Sequence, residues 1–279
     1  MKLCRFGAQG DELPGLVDHT GCIRDLSSVI DDIRPEHLTP EGLEHLAEVN
    51  PASLPLVPEG VRLGVPWTGI SKYVGIGLNY IDHAREANLP IPEEPIIFLK
   101  ATSAICGPND DTTMPRGGSR LDWEVELGVV IGSTARYVTE EDADSFIAGY
   151  CVLNDVSERG FQMQSSQWDK GKGCDTFGPI GPWLVTKNEV PNPGNLKLWS
   201  KVNGEIRQDG NTSNLIFGIH TLVSCVSHYM TLLPGDVIAT GTPAGVALGM
   251  KPEPQWLRPG DVVEIGIERL GTQRQVVVG

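Results

Sequence analysis

The chain has 279 residues, 40% of them hydrophobic, with 33 glycines and 21 prolines, a composition typical of a turn-rich globular protein. Its 36 acidic residues outnumber 22 basic ones, giving a net charge of -14, and no basic run is long enough to attract nucleic acid. No apolar run reaches the roughly 18 residues of a membrane span, and the N-terminus lacks the apolar core of a signal peptide, so we expect a cytoplasmic protein. The six cysteines form no CxxC pair, so the sequence indicates neither a zinc site nor a disulfide framework.

Proline spacing divides the chain near residue 68. Closely spaced prolines are typical of a linker, and four lie just before this point: Pro51, Pro55, Pro58 and Pro66. We therefore predict a small N-terminal α+β domain over residues 1–68 and a larger domain over 69–279. A helix is predicted over 40–49, with Pro40 in its first position.

The larger domain shows short apolar runs separated by Gly and Pro turns. This spacing predicts eight strands, over 73–77, 95–99, 124–131, 147–153, 183–185, 197–202, 237–239 and 262–267. Two helices are predicted to interrupt them, over 80–87 and 219–231, and the second has one apolar face at about 3.6-residue spacing. The expected fold class is therefore mostly β within an α+β architecture.

Three carboxylates alternate with three apolar side chains in the segment 122–127. In an extended strand successive side chains point to opposite faces, so Asp122, Glu124 and Glu126 would share one face. Like charges this close raise one another's pKa unless a cation or a proton neutralises them, so the pattern predicts a metal site. A solvent-exposed edge strand with a polar face would show the same alternation.

Asp155 follows the apolar run 149–153, at the end of a predicted strand. It could complete an oxygen-ligand site with Glu124 and Glu126, although a helix cap would explain it equally well. Hard oxygen ligands select Mg²⁺, Mn²⁺ or Ca²⁺ over zinc.

His83 and Glu86 lie three residues apart in a segment predicted to be helical. On one helical turn the carboxylate can orient the imidazole, which is an arrangement suited to a general base. Residues 87–94, with two prolines and two acidic residues, are predicted to form a mobile loop that could act as a lid. Exposed helices often carry such pairs without a function, so the pair alone does not define a site.

Two lysine-containing segments and one Gly-containing turn could bind anionic oxygens. Lys100 ends a predicted strand, while Lys170 and Lys172 lie in a Gly-rich segment whose amides and lysines suit an anionic oxygen. The turn 240–246 offers hydroxyls and exposed amides that could bind a carboxylate. Solvated lysines and ordinary turn chemistry are the alternatives for both.

Six segments occur in a characteristic order: Gly-Leu-Asn-Tyr-Ile-Asp-His-Ala-Arg-Glu at 77–86, Pro-Ile-Ile-Phe-Leu-Lys at 95–100, Leu-Asp-Trp-Glu-Val-Glu-Leu at 121–127, Asn-Asp-Val-Ser-Glu-Arg at 154–159, Gly-Lys-Gly-Cys-Asp-Thr-Phe-Gly-Pro at 171–179 and Gly-Thr-Pro-Ala-Gly-Val at 241–246. Together they resemble the fumarylacetoacetate hydrolase superfamily, over roughly residues 73–270. Six motifs in one order are far more specific than any single motif. Residues 1–68 resemble the small leading domain of many bacterial members.

This resemblance implies a rolled mixed β-sheet domain, usually paired as a homodimer, with one divalent cation in each active site. The expected ion is Mg²⁺, with Mn²⁺ or Ca²⁺ as substitutes, and the implied ligands are Glu124, Glu126 and Asp155. Asp122 is then expected to orient the site without binding the ion. The resemblance also assigns His83 and Glu86 to a catalytic dyad on a lid helix, Lys172 to a catalytic lysine near the metal, and substrate contacts to Tyr80, Lys100, Arg159, Gln162 and Thr242.

The implied chemistry is the cleavage of a 2,4-dioxo acid. The cation would bind the 2-oxo acid end, and the dyad would activate water to attack the distal carbonyl, giving pyruvate and a second acid. Segments 2–7 and 173–179 are most similar to bacterial hydrolases of 2,4-diketo-3-deoxy sugar acids, of the L-rhamnonate or L-fuconate type, which predicts lactate as the second acid.

Three alternatives stay open for such a site. The same residues would support oxaloacetate decarboxylation, or isomerisation or decarboxylation of a 2-hydroxydienoate from aromatic catabolism. A catalytically inert metal-binding relic is the non-enzymatic alternative. The presence of His83, Glu86 and Lys172 argues against that relic.

Overall fold

The computed structural model describes all residues, 1–279. Its strands are β1 (Lys2–Phe6), β2 (Leu13–Val17), β3 (Ile23–Asp25), β4 (Tyr73–Gly77), β5 (Ile96–Lys100), β6 (Ile105–Cys106), β7 (Thr112–Thr113), β8 (Leu121–Asp122), β9 (Val125–Ile131), β10 (Ile147–Asn154), β11 (Ser157–Glu158), β12 (Gly178–Pro179), β13 (Leu184–Thr186), β14 (Lys197–Val202), β15 (Glu205–Asn211), β16 (Val237–Ala239), β17 (Val262–Ile267) and β18 (Gly271–Val278). The α-helices are α1 (Pro40–Ala47), α2 (Ile81–Glu86), α3 (Arg159–Gln162), α4 (Asp169–Lys172) and α5 (Ile219–Tyr229). The predicted sheet-rich α+β class is confirmed, and none of these helices combines the length and apolar character needed to span a bilayer.

Most strands belong to two sheets. A nine-stranded sheet has the order β3-β2-β1-β13-β10-β9-β16-β4-β5, and a five-stranded sheet has the order β15-β14-β17-β18-β7. The larger sheet is mixed, because β16 pairs in parallel with β4 and antiparallel with β9. These neighbouring strands, together with β5 and β10, carry the residues of the candidate site.

The N-terminal strands extend the larger sheet instead of forming one of their own. Strand β1 pairs antiparallel with β13, and β2 and β3 follow it to the sheet edge. Residues from this part, including Leu3 and Leu16, pack in one cluster with Val130 and Leu153 of the central strands. The division into domains 1–68 and 69–279 remains a prediction.

The two faces of the central strands pack into two hydrophobic clusters. Along β9, Leu127, Val129 and Ile131 join the larger cluster, which also contains residues of the five-stranded sheet and of α5, while Val130 joins the smaller one. Because alternate residues of β9 pack into different clusters, both faces of the central strands are buried. The charged side chains of the candidate site lie at the ends of these strands.

The carboxylate segment differs from its prediction in one respect. The prediction of one continuous strand over 122–127 is wrong. Strand β8 ends at Asp122 and pairs with β11, whereas β9 starts at Val125 and pairs with β10. Between them, the amide of Glu124 donates to the Asn154 side chain, and the amide of Val125 donates to Gln208. Side chains from distant segments thus replace the backbone partners that a continuous strand would need.

Candidate active site

Two adjacent strand ends bring three buried carboxylates together. Glu124 immediately precedes β9, Glu126 lies at its start, and Asp155 follows the end of the antiparallel neighbour β10. One oxygen from each lies within 4.8 Å of the others, and the residues are only 5%, 2% and 0% exposed, respectively. The carboxylates predicted as metal ligands therefore form one cluster.

Three cationic side chains, all buried, surround this cluster. Lys172, on α4, places its ammonium 2.6 Å from Glu124 Oε2 and 2.6 Å from Asp155 Oδ2. Lys100, at the end of β5, donates to Asp155 and to the carbonyl of Val156. The third cation, the guanidinium of Arg159, donates to Glu124 Oε1 at 2.5 Å.

The three carboxylates differ in how their charge is compensated. Burial opposes ionisation of Glu124, but Arg159 and Lys172 lower its pKa to about 2. Glu126 accepts only the Gly241 amide, at 2.8 Å, and has no cationic partner. Burial, followed by repulsion from Asp155 and Glu124, raises the pKa of Glu126 well above its ordinary value.

Asp122 lies beside the cluster but is directed away from it. Its oxygens accept from Arg159 Nε at 2.9 Å, from the Ala247 amide at 2.7 Å and from the Leu248 amide at 3.1 Å. Since Arg159 bridges Asp122 and Glu124, the Asp122 carboxylate fixes the direction of the guanidinium. Counted with every group in its usual ionised form, the network holds four carboxylates and three cations, a formal surplus of one negative charge: Asp122, Glu124, Glu126 and Asp155 against Lys100, Arg159 and Lys172.

The His83–Glu86 pair lies on α2, which is shorter than predicted by one residue at each end. The helix ends because Asn88 adopts a left-handed φ of 54°, so that the Leu89 amide bonds back to the Ala84 carbonyl. His83 Nδ1 lies 3.1 Å from Glu86 Oε2. A carboxylate only accepts, so Nδ1 carries the proton and Nε2 remains as the basic nitrogen.

One turn, residues 241–248, donates backbone hydrogen bonds to both halves of the site. Besides the amides that bind Glu126 and Asp122, the Gly245 amide donates to Glu86 Oε1 at 3.0 Å. Gly245 has a φ of +105°, and a Cβ there would lie 1.9 Å from the Arg207 carbonyl oxygen, so only glycine fits. The turn therefore fixes the dyad relative to the carboxylate cluster.

These groups line one cavity of about 440 Å³. Its inner end is polar and contains the three clustered carboxylates, Arg159, Gln162, Lys172 and Thr242. The dyad lies on its side, and apolar residues line the rest, together with Lys251. Such a cavity is suited to an acid with a polar head and a less polar tail.

Two residues predicted to contact substrate lie behind the cavity wall. Tyr80 is fully buried, its hydroxyl has no hydrogen-bond partner, and it does not line the cavity. The ammonium of Lys100 is held by Asp155 and likewise lies outside the lining. Thr242 does line it, with its hydroxyl donating to the Val125 carbonyl, whereas Lys170 is exposed. Their roles toward substrate remain predictions.

Sequence reasoning missed two amide side chains that shape the site. Asn154 accepts from the Glu124 amide and donates to Gln275, and Gln208 accepts from the Val125 amide and donates to Thr242. Asn154 directly precedes Asp155, so its position at a strand end was the one available signal. Gln208 lies on the other sheet, and no local pattern connects it to the site.

A model of the fumarylacetoacetate (FAA) hydrolase C-terminal family matches residues 72–278. The chain belongs to this family. A protein of Burkholderia ambifaria is 53% identical over 276 residues, which cover 99% of this chain and 98% of that protein. Its name describes it only as a hydrolase. The family predicted from the six motifs is thereby confirmed.

Solved structures of several related enzymes resemble this member of the FAA hydrolase family. A fumarylacetoacetate hydrolase from Exiguobacterium antarcticum has a TM-score of 0.90 and 35% identity, covering 100% of this chain and 99% of the other. A maleylpyruvate hydrolase from Sphingobium sp. SYK-6, in complex with manganese(II) and pyruvate, has a TM-score of 0.83 and 30% sequence identity. A 5-carboxymethyl-2-hydroxymuconate delta-isomerase from Mycobacterium smegmatis has a TM-score of 0.80 and 36% identity. Both matches cover 100% of this chain and 99% of the other.

The carboxylate cluster of this FAA hydrolase family member fits a divalent cation. All three donors are hard oxygens, and Glu126 is a buried carboxylate without a cationic partner. The network has a formal surplus of one negative charge. A divalent cation would change this net charge to +1, and the carboxylate of a 2-oxo acid would then make it zero. The site can thus hold a divalent metal and an acidic small molecule at the same time.

Proposed function

We propose that this protein is a metal-dependent hydrolase that cleaves a C–C bond of a 2,4-dioxo acid, giving pyruvate and a second acid. The observation that carries the proposal is that one cavity holds both the carboxylate cluster, in which Glu126 has no cationic partner, and the His83–Glu86 dyad. Mg²⁺ is the expected ion and a homodimer the expected assembly. The 2,4-diketo-3-deoxy sugar acids are the substrates that the sequence favours.

The inner residues hold and neutralise the acid end of the substrate. Glu124, Glu126 and Asp155 would hold the cation, which when bound supplies Lewis-acid stabilisation of negative charge developing on substrate oxygens. Arg159 and Lys172 orient Glu124, and Lys172 also orients Asp155. The Gln162 amide oxygen accepts from Arg159, which leaves its NH₂ group available as a donor to a substrate carboxylate.

The dyad moves the protons. His83 Nε2 takes a proton from water, whose oxygen adds to the distal carbonyl carbon, and Glu86 stabilises the imidazolium through Nδ1. The bond between that carbon and the methylene then breaks, and its electron pair stays on the methylene carbon. Transfer of the proton held by the His83 imidazolium to this carbon gives the methyl group of pyruvate and restores the neutral imidazole, while the carbonyl carbon leaves as a carboxylic acid.

An isomerase is the second candidate, because a solved structure 36% identical to this chain carries that activity in its name. In that reaction His83 would move a proton between carbons of a hydroxydienoate, and no water would be consumed. Decarboxylation of oxaloacetate would likewise need no attacking water. Both alternatives use the same acid-binding end, so the substrate and the fate of water separate them.

The test is to incubate the protein with Mg²⁺ or Mn²⁺, 2,4-dioxo acids, oxaloacetate and a 2-hydroxydienoate, and to measure pyruvate release and the ultraviolet spectrum of the dienoate. We expect metal-dependent pyruvate release from the dioxo acids, with ¹⁸O from labelled water in the second acid. A spectral change of the dienoate without pyruvate would replace hydrolysis by isomerisation. Pyruvate from oxaloacetate alone would replace it by decarboxylation.

A further inference from the structure

The outer end of the cavity is formed by six apolar side chains from separate parts of the chain, called here the apolar wall: Leu89, Ile96, Phe98, Met163, Trp168 and Leu248. Four of them are large and unusually exposed, with between 37% and 63% of their surface accessible. Exposed apolar groups that converge on one cavity indicate a binding surface for an apolar partner.

The aromatic part of the wall is built into the sheet. Phe98 and Trp168 meet edge to face, with ring centroids 5.5 Å apart. A Cβ at Gly75 would lie 2.2 Å from the Phe98 ring, and one at Gly77 would lie 2.4 Å from the Trp168 ring. The two glycines of β4 thus leave the space that the rings occupy, and they place a flat apolar surface beside the carboxylate cluster.

Few polar groups are free to receive hydroxyls from a substrate. Glu124, Asp155 and Glu86 are each held by two partners within the protein. Thr242 accepts from Gln208 and donates to a carbonyl. Outside the inner end, the exposed Lys251 is the one other charged residue of the lining besides the dyad, so a hydroxylated tail would lose hydration without gaining partners.

We infer that the acyl group beyond the cleaved bond is apolar and larger than acetyl, so that the substrates are alkanoyl- or aroylpyruvates. The inference rests on the proposed cleavage of a 2,4-dioxo acid, and it replaces the sugar-acid chain that the sequence motifs favour by an apolar acyl group. The apolar wall binds the acyl chain, while the inner carboxylate cluster binds the 2-oxo acid end. Hydroxyl groups on that acyl chain, as in the 2,4-diketo-3-deoxy sugar acids, would find few free hydrogen-bond partners along this wall.

The experiment compares kcat/KM for acetyl-, propionyl-, butyryl-, hexanoyl- and benzoylpyruvate, for the hydroxylated analogue 5-hydroxy-2,4-dioxohexanoate, and for the dicarboxylate succinylpyruvate. Each methylene buried against the wall should raise kcat/KM about fourfold until the wall is covered. A profile that is flat with chain length would overturn the inference. So would a preference for 5-hydroxy-2,4-dioxohexanoate over propionylpyruvate, or a preference for succinylpyruvate that Lys251→Met abolishes.

Two variants of the wall sharpen the comparison. Ile96→Thr and Met163→Gln change exposed side chains, so both should fold, and each should lower the ratio of kcat/KM for butyrylpyruvate to kcat/KM for acetylpyruvate about threefold or more. Leu99→Thr is the matched control, because Leu99 lies on the same strand, is 42% exposed and does not line the cavity. Equal losses in the control and in the wall variants would remove the assignment.

If no dioxo acid is cleaved, the proposed function fails, but the apolar wall can still be tested by ligand binding. Binding of the unreactive 2-oxoalkanoates, measured by calorimetry with Mn²⁺ present, then tests the wall by itself. Affinity that rises about fourfold per methylene would support the apolar wall, and affinity independent of chain length would overturn it.

Discussion

The two ends of the cavity are built in opposite ways. At the inner end, charged side chains at strand ends are nearly fully buried and hold one another through short hydrogen bonds. At the outer end, separate segments contribute the apolar side chains of the wall, and four of these side chains are between 37% and 63% exposed. The inner end is therefore suited to fixing charge and chemistry, and the outer end to adapting to the shape of a substrate.

The largest expected effect concerns two neighbouring carboxylates of the inner end, Glu124 and Glu126. Glu124→Gln leaves Arg159 and Lys172 without their carboxylate, so the free energy of unfolding without metal should fall by about 3 kcal/mol. Glu126→Gln removes a carboxylate that has no cationic partner, so stability should be unchanged or increase. Both variants should lose metal-dependent activity.

Urea unfolding in the presence of a chelator measures the stabilities, and calorimetry with Mn²⁺ measures metal binding. Equal destabilisation by Glu124→Gln and Glu126→Gln would mean that Glu126 has a structural partner, and that the charge imbalance is not the basis of the site.

The dyad should affect catalysis without affecting the metal. His83→Ala removes the proposed base on α2 but none of the clustered carboxylates, so kcat for dioxo-acid cleavage should fall by about a hundred- to ten-thousand-fold. Affinity for Mn²⁺ should stay within about twofold. The same variant should spare oxaloacetate decarboxylation, and an equal loss in both reactions would instead assign the dyad to positioning or closure.

Sequence predicted the inner end far better than the outer one. Alternation along β9 and the position of Asp155 at a strand end are local signals, and the structure brings Glu124, Glu126 and Asp155 together. Alternation failed for Asp122, because the strand is interrupted and side chains of Asn154 and Gln208 take the places of backbone partners. Such long-range partners leave no local pattern.

Two of the longer strands that were missed bury polar side chains. Strands β15 and β18 were not predicted; β15 buries Gln208, and in β18 two of the three buried positions are Gln273 and Gln275, which bond to carbonyls across the core. A hydrophobic pattern cannot reveal a strand whose buried face is polar. The apolar wall was missed because its residues come from separate segments.

Asp122 is expected to act on the metal through Arg159. Asp122→Asn weakens the grip on the guanidinium and replaces one acceptor by a donor, so affinity for Mn²⁺ should fall by about ten- to a hundredfold. Asp110→Asn is the matched control, because Asp110 also pairs with an arginine, Arg62, and neither residue lines the cavity. If both variants leave the metal affinity unchanged, Asp122 has no positioning role.

The smallest expected effect tests whether the turn 241–248 connects the two ends. Gly245→Ala brings a methyl group against the Arg207 carbonyl and displaces the amide that holds Glu86, so kcat should fall about tenfold with less change in metal affinity. Gly260→Ala is the control for backbone strain, since its φ is +97° but no atom lies within 4 Å of the added Cβ. It should cost about 1 kcal/mol of stability and leave kcat unchanged. The Gly245 amide bonds to Glu86 of the dyad, and other amides of the same turn bond to Asp122 and Glu126. If Gly245→Ala lowers metal affinity as much as it lowers kcat, the two ends of the cavity move as one unit. The division of the cavity into a fixed inner end and an adaptable outer end would then be wrong.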